Sequence, residues 1–116
     1  MLNYRFVDQL MPSEEISRPE LNDGQTETLA DMLHLMGEPN RLRILMLCLD
    51  KECAVGDIAT GLQMTPSLTS HHLRLLKAAR LVRGRRQGKQ VFYGAADDHV
   101  RHVLRDLIAH IQEERS

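Results

Sequence analysis

The sequence of 116 residues has no tryptophan, and only 3% of it is aromatic. That poverty removes the usual material of a large sheet and leaves a core of Leu, Ile, Val, Ala and six Met, which favours helices and argues against an all-β fold. Cysteine is nearly as scarce. Cys48 and Cys53 are too few for a disulfide framework, and their apolar neighbours suit reduced thiols in a reducing compartment. No apolar run reaches the roughly 18 residues of a membrane-spanning helix. The start, MLNYRFVDQL, has neither the basic segment nor the continuous apolar stretch of a secretory signal. These absences lead us to expect a cytoplasmic chain with no membrane partner and, at this length, a single folded domain.

Charge of one sign is missing only on average. The formal net charge is −1, yet from His71 to Gln90 every charged residue is cationic: Arg74, Lys77, Arg80, Arg83, Arg85, Arg86 and Lys89. Half of the 16 acidic residues stand before residue 40, among them Asp8, Glu14, Glu15, Glu20, Glu27 and Glu38, where only Arg5 and Arg18 oppose them. Residues 1–22 are polar, contain Pro12 and Pro19 and read as a mobile N-terminal arm; residues 23–116 read as the folded domain.

Helical spacing begins near Thr26 with Leu29, Met32, Leu33 and Met36, and Gly37 and Pro39 stop it. His34 in this stretch reads as a core or dimer-packing residue. Asn40 can cap a second helix, largely apolar through Leu49 and ending near Asp50. A short helix follows over Val55–Leu62, and Thr65-Pro66 is a strong start for the next, with Thr at the cap and Pro at the first helical position. The run from Ser67 to Val82 places Leu68, His72, Leu75 and Leu76 on one face and Ser67, Ser70, His71 and Arg74 around the other. Two short helices joined by a tight turn, the second amphipathic and basic, describe a helix-turn-helix. Residues 81–93 then give two β-prone runs around a Gln-Gly turn, a hairpin with a cationic tip. A last helix runs from about Asp97 to Glu113.

The fold expected is therefore mainly α with a small β-hairpin, a winged helix-turn-helix. Such a second helix enters the major groove and offers short polar side chains to base edges, while flanking cations neutralise phosphates. Thr65, Ser67, Thr69, Ser70 and His71 occupy its first two turns. Arg74, Lys77, Arg85, Arg86 and Lys89 are the phosphate or minor-groove candidates. The partner implied is double-stranded DNA rather than a small-molecule substrate.

Four segments, GEPNRLRIL at 37–45, VGDIA at 55–59, SHHLRLLKAARLV at 70–82 and RRQGKQVFY at 85–93, resemble the arsenic-repressor (ArsR/SmtB) family of bacterial metal sensors. The likeness covers about residues 30–114. It implies a symmetric homodimer that binds a palindromic operator and represses transcription, with its two reading helices roughly 34 Å apart.

His99, His102, Asp106, His110 and Glu113 follow one another at steps of three or four, so on a helix they form one stripe. His99 and His110 lie eleven residues apart, about 16 Å along an ideal helix, whereas bonds to zinc are about 2.0–2.2 Å. The two can share an ion only between helices, as an antiparallel dimer pairing allows. Several zinc and cobalt sensors of the family carry Asp-x-His at the start of this helix, with His and then His or Glu further on. The resemblance therefore implies Asp97 and His99 of one subunit with His110 and Glu113 of the other as ligands. It also implies a lever in which the second ring nitrogen of His110 meets the main-chain carbonyl of Arg80. Two imidazoles and two carboxylates suit Zn(II), with Co(II) or Ni(II) as alternatives, and His102 is a spare donor. Thiol-type sensors of the family carry a cysteine motif before the first short helix, but Cys53 stands one place too early to match it.

Three other readings are open. The chain can sense a thiol or redox signal through Cys48 and Cys53, or bind DNA without any metal response. A metallohydrolase built on His102, Asp106 and His110 is the third, and it lacks a nucleophile motif and a general base beyond its ligands.

Overall fold

A computed structural model describes residues 20–113. Most of the expected N-terminal arm, residues 1–19, and the last residues, 114–116, lie outside the described residues. The first helix, α1 (Asp23–Met36), begins before the expected Thr26 because Asn22 closes a reciprocal cap with Gln25. In α2 (Pro39–Leu47) the cap is Glu38 rather than Asn40. Pro39 takes the first helical position, so the residue before it must accept the free N–H groups, and the Glu38 carboxylate receives that of Arg41 at 2.9 Å. Asn40 accepts instead from the Arg43 guanidinium. This helix stops at Leu47, short of the expected Asp50.

A two-residue strand, β1 (Cys53–Ala54), leads into α3 (Val55–Leu62) and α4 (Pro66–Ala78). Strands β2 (Val82–Gln87) and β3 (Gln90–Ala95) form the expected hairpin. Its turn residues are Gly88 and Lys89, with Gly88 at φ +65°, one place later than the Gln-Gly pair suggests. The sheet order is β1-β3-β2, all antiparallel, with Cys53 opposite Tyr93. Helix α5 (Asp98–Gln112) closes the fold, capped by Asp97.

The core gathers Ile44 and Leu45 of α2, Ile58 of α3, Leu73 and Leu76 of α4, Leu81 and Val82 at the root of the wing, and Val100 and Leu104 of α5. The inner face of α4 is Thr69, His72, Leu73 and Leu76; Leu68, expected inside, is 40% exposed. Contacts with α2 and α3 fix this rotation, and Thr69 settles into it by donating its hydroxyl to the Thr65 carbonyl oxygen at 2.9 Å.

Helix α1 buries none of its residues in the single chain, and His34 is exposed rather than part of the core. Leu29 and Leu33 on α1, and Val103, Leu107 and Ile111 on α5, are also left exposed. An apolar groove runs between the two helices, bordered by Leu29, Leu33, His99 and Val103. Among the described residues no helix is long and apolar enough to cross a membrane.

Candidate functional site

Two helices and a turn present the first set of candidate residues. Helix α3 ends on Gln63, whose left-handed φ of 56° lets its N–H reach Thr60 and that of Met64 reach Ala59. This closing turn aims the start of α4 outward. Thr65 caps α4 by accepting the Leu68 N–H at 3.1 Å, which leaves its hydroxyl proton free to donate. Ser67, His71, Arg74 and Lys77 are exposed along the outer face, and Ser70 is half-buried beside them. Thr69 is a correction. Expected at the DNA, it is fully buried on the opposite face, where its hydroxyl is spent on the helix backbone.

Arg85 is the second correction. Its Nε and Nη2 each lie 2.8 Å from Glu52 Oε1, its Nη1 donates to Gln87 Oε1, and its guanidinium sits 5.3 Å from the centre of the Phe92 ring. A guanidinium with those partners fastens the wing to the segment before β1 and is not a free phosphate ligand. Arg86 and Lys89 stay exposed at the tip, with only a 3.4 Å contact from Arg86 to the Gly88 carbonyl.

At its far end α4 closes on Arg80, at φ +60°. Its N–H reaches the Lys77 carbonyl and that of buried Leu81 reaches Leu76, both at 2.9 Å. This pattern usually carries glycine at the left-handed position. The family resemblance implies the Arg80 main-chain carbonyl as the acceptor for the His110 ring, and the backbone conformation at Arg80 is costly for a non-glycine residue. Arg80 borders a cleft of about 630 Å³ together with Lys77, Arg83, Asp97 and His99. The carboxyl end of α4 and the amino end of α5 therefore share one space within a single chain.

At that amino end Asp97 Oδ1 accepts the Val100 N–H at 3.1 Å and lies 3.7 Å from His99 Nδ1. The Val100 N–H, and after it the neighbouring His99, hold the Asp97 carboxyl below the usual carboxylate range. The side chains of Asp97 and His99 are 57% and 96% exposed, so both face outward from the single chain. His110 and Glu113 are exposed at the other end of α5, and His102 and Asp106 stand exposed between. Among the described residues no three His, Cys, Asp or Glu side chains of one chain converge. The donor set fits a zinc-type ion in chemistry: the Asp97 cap uses one oxygen and leaves the other, and the imidazole beside it is unburied.

The cysteines offer a weaker site. Cys48 is buried in the core, and burial, with a smaller contribution from Cys53, pushes its thiol up to about 12. A thiol so protonated is a poor nucleophile and a poor ligand.

A short helix pair with a cationic outer face, followed by a cationic hairpin, defines a winged helix-turn-helix DNA-binding protein. Residues 38–83 match the model of the bacterial regulatory protein, arsR family. The chain is 36% identical over 89 residues to a transcriptional repressor SmtB homolog of a Synechocystis species, covering 77% of this chain and 67% of that one. With the transcriptional regulator CmtR of Mycobacterium tuberculosis it shares 38% identity over 80 residues, 69% of this chain and 68% of the relative. In solved structures it resembles the homodimeric winged helix-turn-helix DNA-binding domain of a possible ArsR-family regulator from Mycobacterium bovis. That match has TM-score 0.72 and 27% identity and covers 85% of this chain and 98% of the other. The chain spans about two thirds of the length of the curated relatives it matches. It belongs to the arsR family, and it is a DNA-binding transcriptional regulator rather than an enzyme.

Proposed function

We propose that the chain is a homodimeric repressor that binds a palindromic operator and is released when Zn(II), or Co(II) in its place, is held between the α5 helices of the two protomers. Asp97 and His99 of one protomer and His110 and Glu113 of the other are the ligands. The observation that carries this reading is the shared cleft, in which the first two ligands border the same space as Arg80 at the end of the reading helix. The bound ion supplies a positive charge and a fixed link between two helices.

This chain's residues supply the rest. Ser67, Ser70 and His71 face base edges, and Arg74, Lys77, Arg86 and Lys89 neutralise phosphates. The exposed apolar stripes of α1 and α5 pack against their counterparts in the partner and bring the two ends of α5 together. The relatives support the parts separately: the M. bovis domain is homodimeric, and the Synechocystis relative is a transcriptional repressor homolog.

Coupling between the two sites is reciprocal and typically amounts to about 1–3 kcal/mol, so saturating zinc should weaken operator binding by roughly five- to 150-fold. The direct check titrates zinc into a complex of the protein with its operator duplex at fixed salt. Unchanged affinity at saturation would rule out the sensor reading and leave a DNA-binding regulator.

A further inference from the structure

The inner face of α4 buries His72 beside Leu73 and Leu76. His72 is 7% exposed, within two turns of the outward-facing Ser67 and Ser70. One polar partner reaches it. Arg41 of α2 places Nη1 3.4 Å from His72 Nδ1 and donates through Nε to the main-chain oxygen of Leu35, in the last turn of α1, at 2.8 Å. The chemistry fixes the direction of the first contact. Arginine has only donors, so Nδ1 is the acceptor and the neutral ring carries its proton on Nε2.

The Leu35 oxygen is among the orphan carbonyls at the end of α1, and the residue four ahead of it, Pro39, has no N–H to offer. Arg41 is held from behind, since its own N–H caps onto Glu38. The charged and titratable groups facing His72 are Glu38 and Arg41 from the start of α2 and His71 from its own helix.

We propose that Arg41 is a positioning residue for operator reading: its guanidinium bridges the carboxyl end of the dimer helix α1 to the buried face of α4 and sets the angle at which α4 meets the bases. The inference rests on the DNA-reading role given to α4 above, and it adds a route by which a shift in the dimer interface reaches the reading helix without passing through the α5 cleft. Lysine at 41 keeps the charge but has a single head group, which cannot hold both a carbonyl and a ring. Asparagine at 72 places an amide oxygen near the position of Nδ1, whereas leucine fills the volume and offers no acceptor.

The test uses the duplex that the wild-type protein itself selects from a randomised pool and a scrambled duplex of equal length, both at one salt concentration. Arg41→Lys and His72→Leu are expected to reduce the selected-to-scrambled affinity ratio about tenfold, the scale of one charge-assisted hydrogen bond, with scrambled-duplex affinity unchanged. His72→Asn is expected to retain the ratio. It should also flatten the fall in wild-type operator affinity in acid, which begins below the ordinary histidine range because burial holds the folded ring's pKa down, and which follows from a protonated ring no longer accepting from Arg41. Full ratios in Arg41→Lys and His72→Leu overturn the proposal, as does an equal loss in His72→Asn and His72→Leu, which would mark plain packing. If Arg41→Lys does not fold, the His72 pair decides alone. A wild-type protein that selects no duplex overturns the DNA-reading role and this inference together, whereas selection with indifferent variants overturns only the inference.

Discussion

Arg85 on the wing grips Glu52, 33 residues earlier, through two nitrogens at 2.8 Å from one carboxylate oxygen. The same short segment is held from the other side. Leu49 O accepts from Arg101 Nε at 3.2 Å, and Asp50 pairs with Arg105, both on α5. The loop between α2 and β1 therefore joins the wing to α5 by polar contacts.

That arrangement separates the wing arginines. Arg86→Ala and Lys89→Ala should weaken binding to all DNA sequences alike and each lower the salt dependence of log K by about 1. Arg85→Ala should leave that slope nearly unchanged, because its guanidinium is already occupied. Operator titrations across a series of salt concentrations read the difference.

Arg80 carries a backbone conformation that costs a non-glycine residue roughly 1–2 kcal/mol. Arg80→Gly keeps the carbonyl and removes that cost, partly offset by the greater freedom of glycine when unfolded. Chemical denaturation is expected to show a gain of about 0.5–1 kcal/mol, with the zinc response retained. A loss of stability would mean that the arginine side chain holds this turn.

Burial lowers the pKa of His72 from its ordinary 6.5. The unfolded chain then takes up a proton that the native chain refuses, so stability falls as pH drops below about 6.5 and levels off once the native ring titrates at its lower value. Glu38 and Asp97 are shifted downward by backbone N–H groups and lose their stabilising contribution further into acid, as the pH falls below their ordinary 4.5 and 3.8. Thermal melts of wild type and His72→Asn between pH 7 and 5 should diverge, with the variant the less acid-sensitive.

The exposed apolar residues of α5 rise from 46% at Val103 through 51% at Leu107 to 68% at Ile111, the profile of a helix whose outer turns await a partner. Leu107→Glu should shift the protein to monomers in sedimentation at micromolar concentration and abolish operator binding by half-site loss. Persistence of the dimer would place the interface elsewhere.

Much of this was legible in the sequence. The Thr65-Pro66 start, the Val55–Leu62 helix and the Asp97–Glu113 span depend on local capping and periodicity, and local rules read them correctly. What escaped was decided at a distance. Thr69 and Leu68 differ from expectation by a rotation of α4 about its axis, set by contacts with α2 and α3 rather than by the helix alone. Glu52 gives no sign in the sequence that it will hold Arg85. Strand β1, two residues long, exists only because β3 lies beside it. Gln63 and Arg80 occupy left-handed positions where glycine would have announced a helix end.

The central claim is that each metal site is made by two protomers. His99→Ala and His110→Ala homodimers should each bind zinc weakly, since every site has lost one imidazole. Mixing the two denatured variants and refolding them together should restore tight binding to the mixed dimer at one ion per dimer, because one site then regains all four ligands and the other loses two. Full tight binding by either variant alone, or no recovery on mixing, would contradict the account.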